Sequence, residues 1–221
     1  AGGKRGERAS ERRQSFSFHD QPPPVVRLSR GILPSGPVST VFSAFERTAA
    51  AHGGKPFLEF PSHKARFTYA QALERVAGVA AAYRRRGYGA GHRVALRLEN
   101  RPEFLLHFLA LNSLGASVVP VNPDARAAEL EYILAHSEAS LVVDRALADE
   151  FDPPPAPRPG DAAECALRYT SGTTGRPKGC LLSDFYFLHV AQRYLDEGGL
   201  CAVRHGAERL ITPLPLFHMN A

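Results

Sequence analysis

Tryptophan is absent from these 221 residues, methionine occurs once and cysteine three times, at 165, 180 and 201. An odd number of cysteines cannot close into a full disulfide framework, and these separations fit no metal-ligand spacing. A reducing, cytoplasmic setting suits such a chain. The scattered His92, His107 and His136 share no metal-like spacing either, so they are read as structural and no metal ligand is assigned. Long apolar runs are also lacking. The longest, residues 104–121, is broken by His107, Asn112, Ser113 and Gly115, which excludes a membrane span there and predicts a helix followed by a strand. No apolar stretch follows the charged first residues, so no signal peptide is read.

The net charge of +5 is unevenly placed: residues 1–30 hold seven Lys/Arg against three Asp/Glu, and the remainder holds 20 against 19. Without a basic stripe beyond the arm, nucleic acid is not an expected partner. Residues 1–30 also carry the run Gln21-Pro22-Pro23-Pro24 and little apolar surface to offset the entropy of ordering, so they read as a flexible basic arm.

What the chain does have is a regular alternation of helical and strand patterns. Val41, Phe42, Phe45 and Ala49 recur at helical spacing, with Ser39 or Thr40 to cap the helix and Gly53-Gly54 to end it. Residues 55–60 and 66–69 predict a hairpin. Residues 70–86 predict a helix ending in Arg84-Arg85-Arg86, favoured there by the helix dipole. Residues 94–98 predict a strand, and Asn100 with Glu103 has the spacing of a capping box for a helix over 101–114. A strand at 118–121, a helix at 127–136 and a strand at 141–143 complete residues 31–150 as an α/β subdomain. This alternation implies largely parallel sheets flanked by helices. Residues 151–164 contain five prolines and no periodicity and are expected to form an extended linker. Residues 165–221 then predict a strand, a polar loop and a helix from Ser183 to Glu197, with a further strand at 209–212: a segment of a second, truncated α/β subdomain.

The chemistry concentrates in Tyr169-Thr170-Ser171-Gly172-Thr173-Thr174-Gly175-Arg176-Pro177-Lys178-Gly179. Glycines at 172, 175 and 179 let backbone N–H groups approach a ligand closely. Thr170, Ser171, Thr173 and Thr174 supply rotatable hydroxyls, and Lys178 carries a compact charge on a flexible stem. Such a donor set suits phosphate. A Walker A loop is excluded because Pro177 stands where that motif needs glycine and Gly179 where it needs Ser or Thr. A loop between strand and helix is a frequent anion site, and that placement is expected here.

The eleven residues resemble the phosphate-binding signature of the adenylate-forming (AMP-binding) superfamily, whose members include acyl- and aryl-CoA synthetases, peptide-synthetase adenylation domains and luciferases. Arg66-Phe-Thr-Tyr-Ala-Gln71, Gly91-His-Arg-Val-Ala-Leu96, Asn100-Arg-Pro-Glu-Phe104 and residues 115–123 resemble the superfamily's N-terminal region in its usual order. Cys180, usually aliphatic, and Asp184, usually His, depart from the pattern. The resemblance implies the incomplete N-terminal part of an adenylate-forming enzyme's large domain. It further implies activation of a small-molecule carboxylate by Mg2+ and ATP, release of pyrophosphate, and transfer of the acyl group to coenzyme A. On that resemblance Lys178 is catalytic, residues 170–175, 178 and 179 bind the nucleotide, and His218 lines the acyl pocket. The wording of residues 216–220 is most similar to ligases of the crotonobetaine/carnitine type. The chain stops inside a motif and reads as a fragment, expected to be inactive alone. The alternative is a non-catalytic nucleotide-binding or interaction module.

Overall fold

The computed structural model describes residues 40–144, 151–157, 164–170, 177–199, 202–204 and 206–218. The basic arm expected at residues 1–30, Cys201, and Ser171, Gly172, Thr173, Thr174 and Gly175 of the motif lie outside the described residues.

Helix α1 (Val41–His52) opens with a capping box, in which the Thr40 hydroxyl accepts from the Ser43 N–H and the Ser43 hydroxyl accepts from the Thr40 N–H. Strands β1 (Pro56–Phe60) and β2 (Ala65–Thr68) form the expected antiparallel hairpin. Thr68 then caps α2 (Tyr69–Arg85) through a second box with Gln71. One face of α2 buries Ala72, Val76, Ala80 and Tyr83.

Five strands follow: β3 (Arg93–Leu96), β4 (Ser117–Pro120), β5 (Leu141–Val143), β6 (Glu164–Thr170) and β7 (Lys178–Ser183). They make one sheet in the order β5-β3-β4-β6-β7, parallel throughout except that β7 runs antiparallel to β6. Helix α3 (Pro102–Ser113) connects β3 to β4, α4 (Ala127–Ser137) connects β4 to β5, and α5 (Asp184–Asp196) follows β7. Strands β3 and β4 are buried along their whole length, as strands covered on both faces must be. Val94, Leu96 and Val118 join the core formed with α1, α2 and α3, and the alternate residues Ala95, Val119 and Val121 pack with Ile133 of α4. The expected α/β architecture with a mostly parallel sheet is therefore present.

Three local expectations are corrected. Residues 209–212 form no strand; Leu210 and Ile211 are 92% and 96% exposed, and a strand needs a neighbour to receive its N–H and C=O groups. Asn100 does not cap α3, whose N-cap is Arg101 with Pro102 at the first turn and no side-chain cap; its amide is engaged elsewhere in the chain. The proline run does not separate one sheet from another, because β6 pairs with β4 (Val118 opposite Ala166) and extends the sheet that β3, β4 and β5 begin. The run itself is pinned. Phe151 packs its ring against Tyr83 and Tyr88, and the Tyr88 hydroxyl donates to the Asp152 carbonyl. His92 reaches the Pro155 carbonyl through Nε2 at 3.1 Å, and its Nδ1 lies 3.1 Å from both the N–H and the carbonyl of Gly89.

Two polar clusters tie the sheet to the helices. Arg93 forms a two-pronged pair with Glu164 (2.6 and 2.8 Å) and donates to the Ser137 carbonyl at 2.9 Å, joining β3, β6 and the end of α4. The first turn of α1 contains no acidic residue, and its free N–H groups are met from a distance. The Asp184 carboxylate accepts from the Val41 N–H at 2.7 Å, and the Asn112 side-chain oxygen Oδ1 from the Phe42 N–H at 2.8 Å. Asn112 Nδ2 also donates to Asp184 (2.8 Å) and to the Cys165 sulfur (3.3 Å). Burial, with the Asp184 carboxylate beside it, pushes the Cys165 thiol well above its ordinary value, so it stays a protonated, inert core group.

Candidate phosphate-binding hairpin

The motif does not join a strand to a helix, as the sequence led one to expect. It joins β6 to β7 as an antiparallel hairpin, with Thr170 opposite Lys178, Tyr169 opposite Gly179 and Arg168 opposite Cys180. Lys178 and Gly179 belong to β7, and the helix begins six residues later, capped by Ser183 as expected. Local pattern could not separate these cases, since Lys178-Gly-Cys-Leu-Leu-Ser183 shows no regular alternation and runs straight into a helix N-cap. Because β6 is parallel to β4, Thr170 and its partner Lys178 lie at the carboxyl ends of the parallel strands, the edge at which open α/β sheets hold their ligands.

The neck of the hairpin is braced from α4. The Tyr132 hydroxyl donates to the Pro177 carbonyl at 3.1 Å, and His136 Nδ1 shares a 2.7 Å hydrogen bond with the Tyr169 hydroxyl. Burial raises the Tyr169 pKa above its ordinary value, which keeps that hydroxyl protonated. Gly179 packs closely against its neighbours. A Cβ there would sit 3.0 Å from Leu167 Cδ1 and 3.5 Å from the Tyr169 ring, and Leu167 is buried in the core.

Of the residues expected to bind nucleotide, Thr170, Lys178 and Gly179 are described, and the hairpin gathers them at its neck. Thr170 and Lys178 are exposed, and among the described residues Lys178 makes no ion pair, so its ammonium is available to an anion. His218 is exposed and ends a turn in which its N–H donates to the Pro215 carbonyl at 2.8 Å. It is tied to the same strand as the hairpin, because Arg168 of β6 donates to its carbonyl. Sequence reasoning missed Arg168, Asn100, Tyr132 and His136 as supports of this region. The one available signal was an arginine that directly follows the apolar run Cys165-Ala166-Leu167.

Among the described residues no group of three or more His, Cys, Asp or Glu side chains could hold a metal ion. Among the described residues no helix is long and apolar enough to cross a membrane.

The profile of the AMP-binding enzyme family matches residues 45–153 and 144–221. A feruloyl-CoA synthase from Amycolatopsis sp is 33% identical over 211 residues, covering 86% of this chain and 40% of the relative. A long-chain-fatty-acid–CoA ligase of Mycobacterium tuberculosis is 32% identical over 195 residues, covering 73% of this chain and 37% of the relative. The solved N-terminal domain of FACL13 from Mycobacterium tuberculosis, bound to an inhibitor, superposes with a TM-score of 0.67 at 27% identity, over 81% of this chain and 52% of that one. The chain thus spans about two fifths of the length of these curated relatives.

Proposed function

Because the chain belongs to the AMP-binding enzyme family, we propose that it carries the phosphate-binding part of an ATP-dependent acid–CoA ligase. In the first step a carboxylate oxygen bonds to the α-phosphorus of ATP as the bond to the β-phosphate oxygen breaks, giving an acyl-adenylate and pyrophosphate. In the second, the sulfur of coenzyme A bonds to the acyl carbon as the carbon–oxygen bond to AMP breaks. Within this reading Ser171, Thr173, Thr174 and Lys178 bind the β- and γ-phosphates, Thr170 also binds the nucleotide, and Gly172, Gly175 and Gly179 shape the loop. His218 borders the acyl group, and on the wording of residues 216–220 the acid is a medium-sized one of the crotonobetaine/carnitine class.

The observation that carries the reading is the exposed Lys178 ammonium, without an ion pair among the described residues and rooted opposite Thr170 at the carboxyl edge of the sheet. Negative charge grows on the pyrophosphate as it leaves, so fixed donors aimed there stabilise the transition state more than the ground state. A charge-assisted hydrogen bond contributes roughly 1.5–3 kcal/mol. Lys178→Ala in the full-length protein is therefore expected to slow single-turnover adenylate formation by at least about tenfold. Affinity for a stable acyl-adenylate mimic, which has no β- or γ-phosphate, should change little. An adenylation rate within about twofold of the parent, under ~0.5 kcal/mol of barrier, removes the phosphate role from Lys178.

A further inference from the structure

Residues 213–218 are neither helix nor strand, and Pro213 and Pro215 have no N–H to give to a sheet ladder. Their backbone is held by two side chains from distant elements. Asn100, in the loop after β3, donates from Nδ2 to the Leu214 carbonyl at 2.9 Å and accepts the Leu216 N–H at 2.7 Å. Arg168, in the middle of β6, donates from Nη2 to the Leu216 carbonyl at 3.3 Å and from Nη1 to the His218 carbonyl. Four backbone groups within five residues are thereby fixed, while Leu216 and Phe217 pack on the core.

Arg168 is a costly way to hold a loop. It is 8% exposed, and among the described residues its buried Nε has no hydrogen-bond partner and no carboxylate pairs with it. A buried charge of this kind gives less stability than an apolar side chain of similar volume would, so its presence points to a geometric task. That task can be read from the strand. Side chains two apart on a strand share a face, which puts Arg168 on the same face of β6 as Thr170 at the neck of the hairpin. One strand thus registers both the hairpin and the 214–218 segment.

We propose that Arg168 and Asn100 are positioning residues that set where His218 stands, and through it which carboxylates the protein accepts. This rests on the assignment of His218 to the acyl pocket above. The clamp acts on acid selectivity and leaves ATP use alone, because it grips carbonyl and N–H groups of residues 214–218 and none of the residues assigned to phosphate.

The test uses the full-length ligase with Arg168→Met, Arg168→Lys and Asn100→Ala, and with His218→Ala as a separate probe of the pocket. Hydrogen exchange of the peptide spanning 209–218 should quicken by about tenfold in Arg168→Met and Asn100→Ala, as expected for the loss of a local hydrogen bond. The ratio of kcat/KM between a short and a long carboxylate should shift by about fivefold, a change typical of altered pocket contacts. The KM for ATP should stay within about twofold, and Arg168→Lys, which restores one donor, should recover part of the ratio. If Arg168→Met does not fold, Asn100→Ala, at a part-exposed position, carries the same comparison. Faster exchange with an unchanged ratio overturns the proposal, as does an ATP KM that rises in step with that of the acid. His218→Ala with an unchanged ratio removes the pocket assignment. His218→Ala shifting the ratio while the clamp variants do not leaves the pocket standing and removes the clamp.

Discussion

His107→Gln is expected to remove the destabilising effect of mild acid at one buried site. His107 lies inside α3, 3% exposed, with Nδ1 2.9 Å from the hydroxyl of Tyr83, itself fully buried. Burial is the larger influence and pulls the imidazole pKa down from 6.5 to about 4, against a smaller upward pull from the Glu103 carboxylate. Between those values the unfolded chain binds a proton at this residue and the fold does not, so stability must rise with pH across that window. The dependence is complete above the unfolded value and saturates below the folded one, where both states are protonated. At about 1.4 kcal/mol per unit the whole window is worth about 3 kcal/mol, and the portion between about pH 7 and about pH 4.5 is worth about 2 kcal/mol. Glutamine keeps a hydrogen-bonding group for Tyr83 and cannot titrate. Urea unfolding of parent and variant, compared at each pH, cancels every other titrating group. The variant should gain about 2 kcal/mol on the parent between about pH 7 and about pH 4.5. A difference constant to within about 0.5 kcal/mol over that range would mean that His107 accepts a proton in the folded protein, and the burial argument would fail.

Asp184→Ala removes the acceptor for the Val41 N–H and for Asn112 and should destabilise the protein by about 3 kcal/mol in chemical denaturation, with Asp184→Asn retaining some of that stability. An Ala variant as stable as the parent would show that α1 finds other partners. Gly179→Val drives a Cβ to 3.0 Å from Leu167 and should cost about 1–3 kcal/mol while lowering ATP use, because Lys178 is the adjoining residue. A valine variant with the parent's melting temperature and activity would dismiss close packing as the reason for glycine there.

What the sequence made legible follows from how far each signal reaches along the chain. The caps of α1 and α5 were readable because Thr40 and Ser183 bond N–H groups three residues away, whereas Thr68, read as part of the hairpin, also caps α2. The parallel strands were readable because burial on both faces leaves short runs such as Val94-Ala95-Leu96 with no polar interruption. Asn100 misled for the opposite reason. Its spacing from Glu103 fits a local cap, but its partners are more than a hundred residues away, and Glu103 pairs with Arg101 instead. Asp184 is a similar case: it stands just inside α5, yet its carboxylate serves the first turn of α1. For the site, the residue types were plain in the sequence, whereas the hairpin and the supports of its neck were set by tertiary packing.

The correction from strand–loop–helix to hairpin changes where stabilisation of an anion can come from. The six residues of β7 place the start of α5 about 20 Å from the neck at roughly 3.4 Å per residue, and the field of a helix end fades within its first turn. The N-terminus of α5 is also occupied, with the Tyr186 N–H given to Ser183. On the proposed reading the helix dipole therefore adds nothing at the phosphates, and the charge falls to N–H groups, hydroxyls and one ammonium. Lys178 suits that task because its two ends behave differently. Its backbone is fixed in the ladder opposite Thr170, while its side chain is exposed and free of ion pairs among the described residues. A lysine anchored in this way can follow a departing pyrophosphate without disturbing the strand that carries Arg168 and the 214–218 segment.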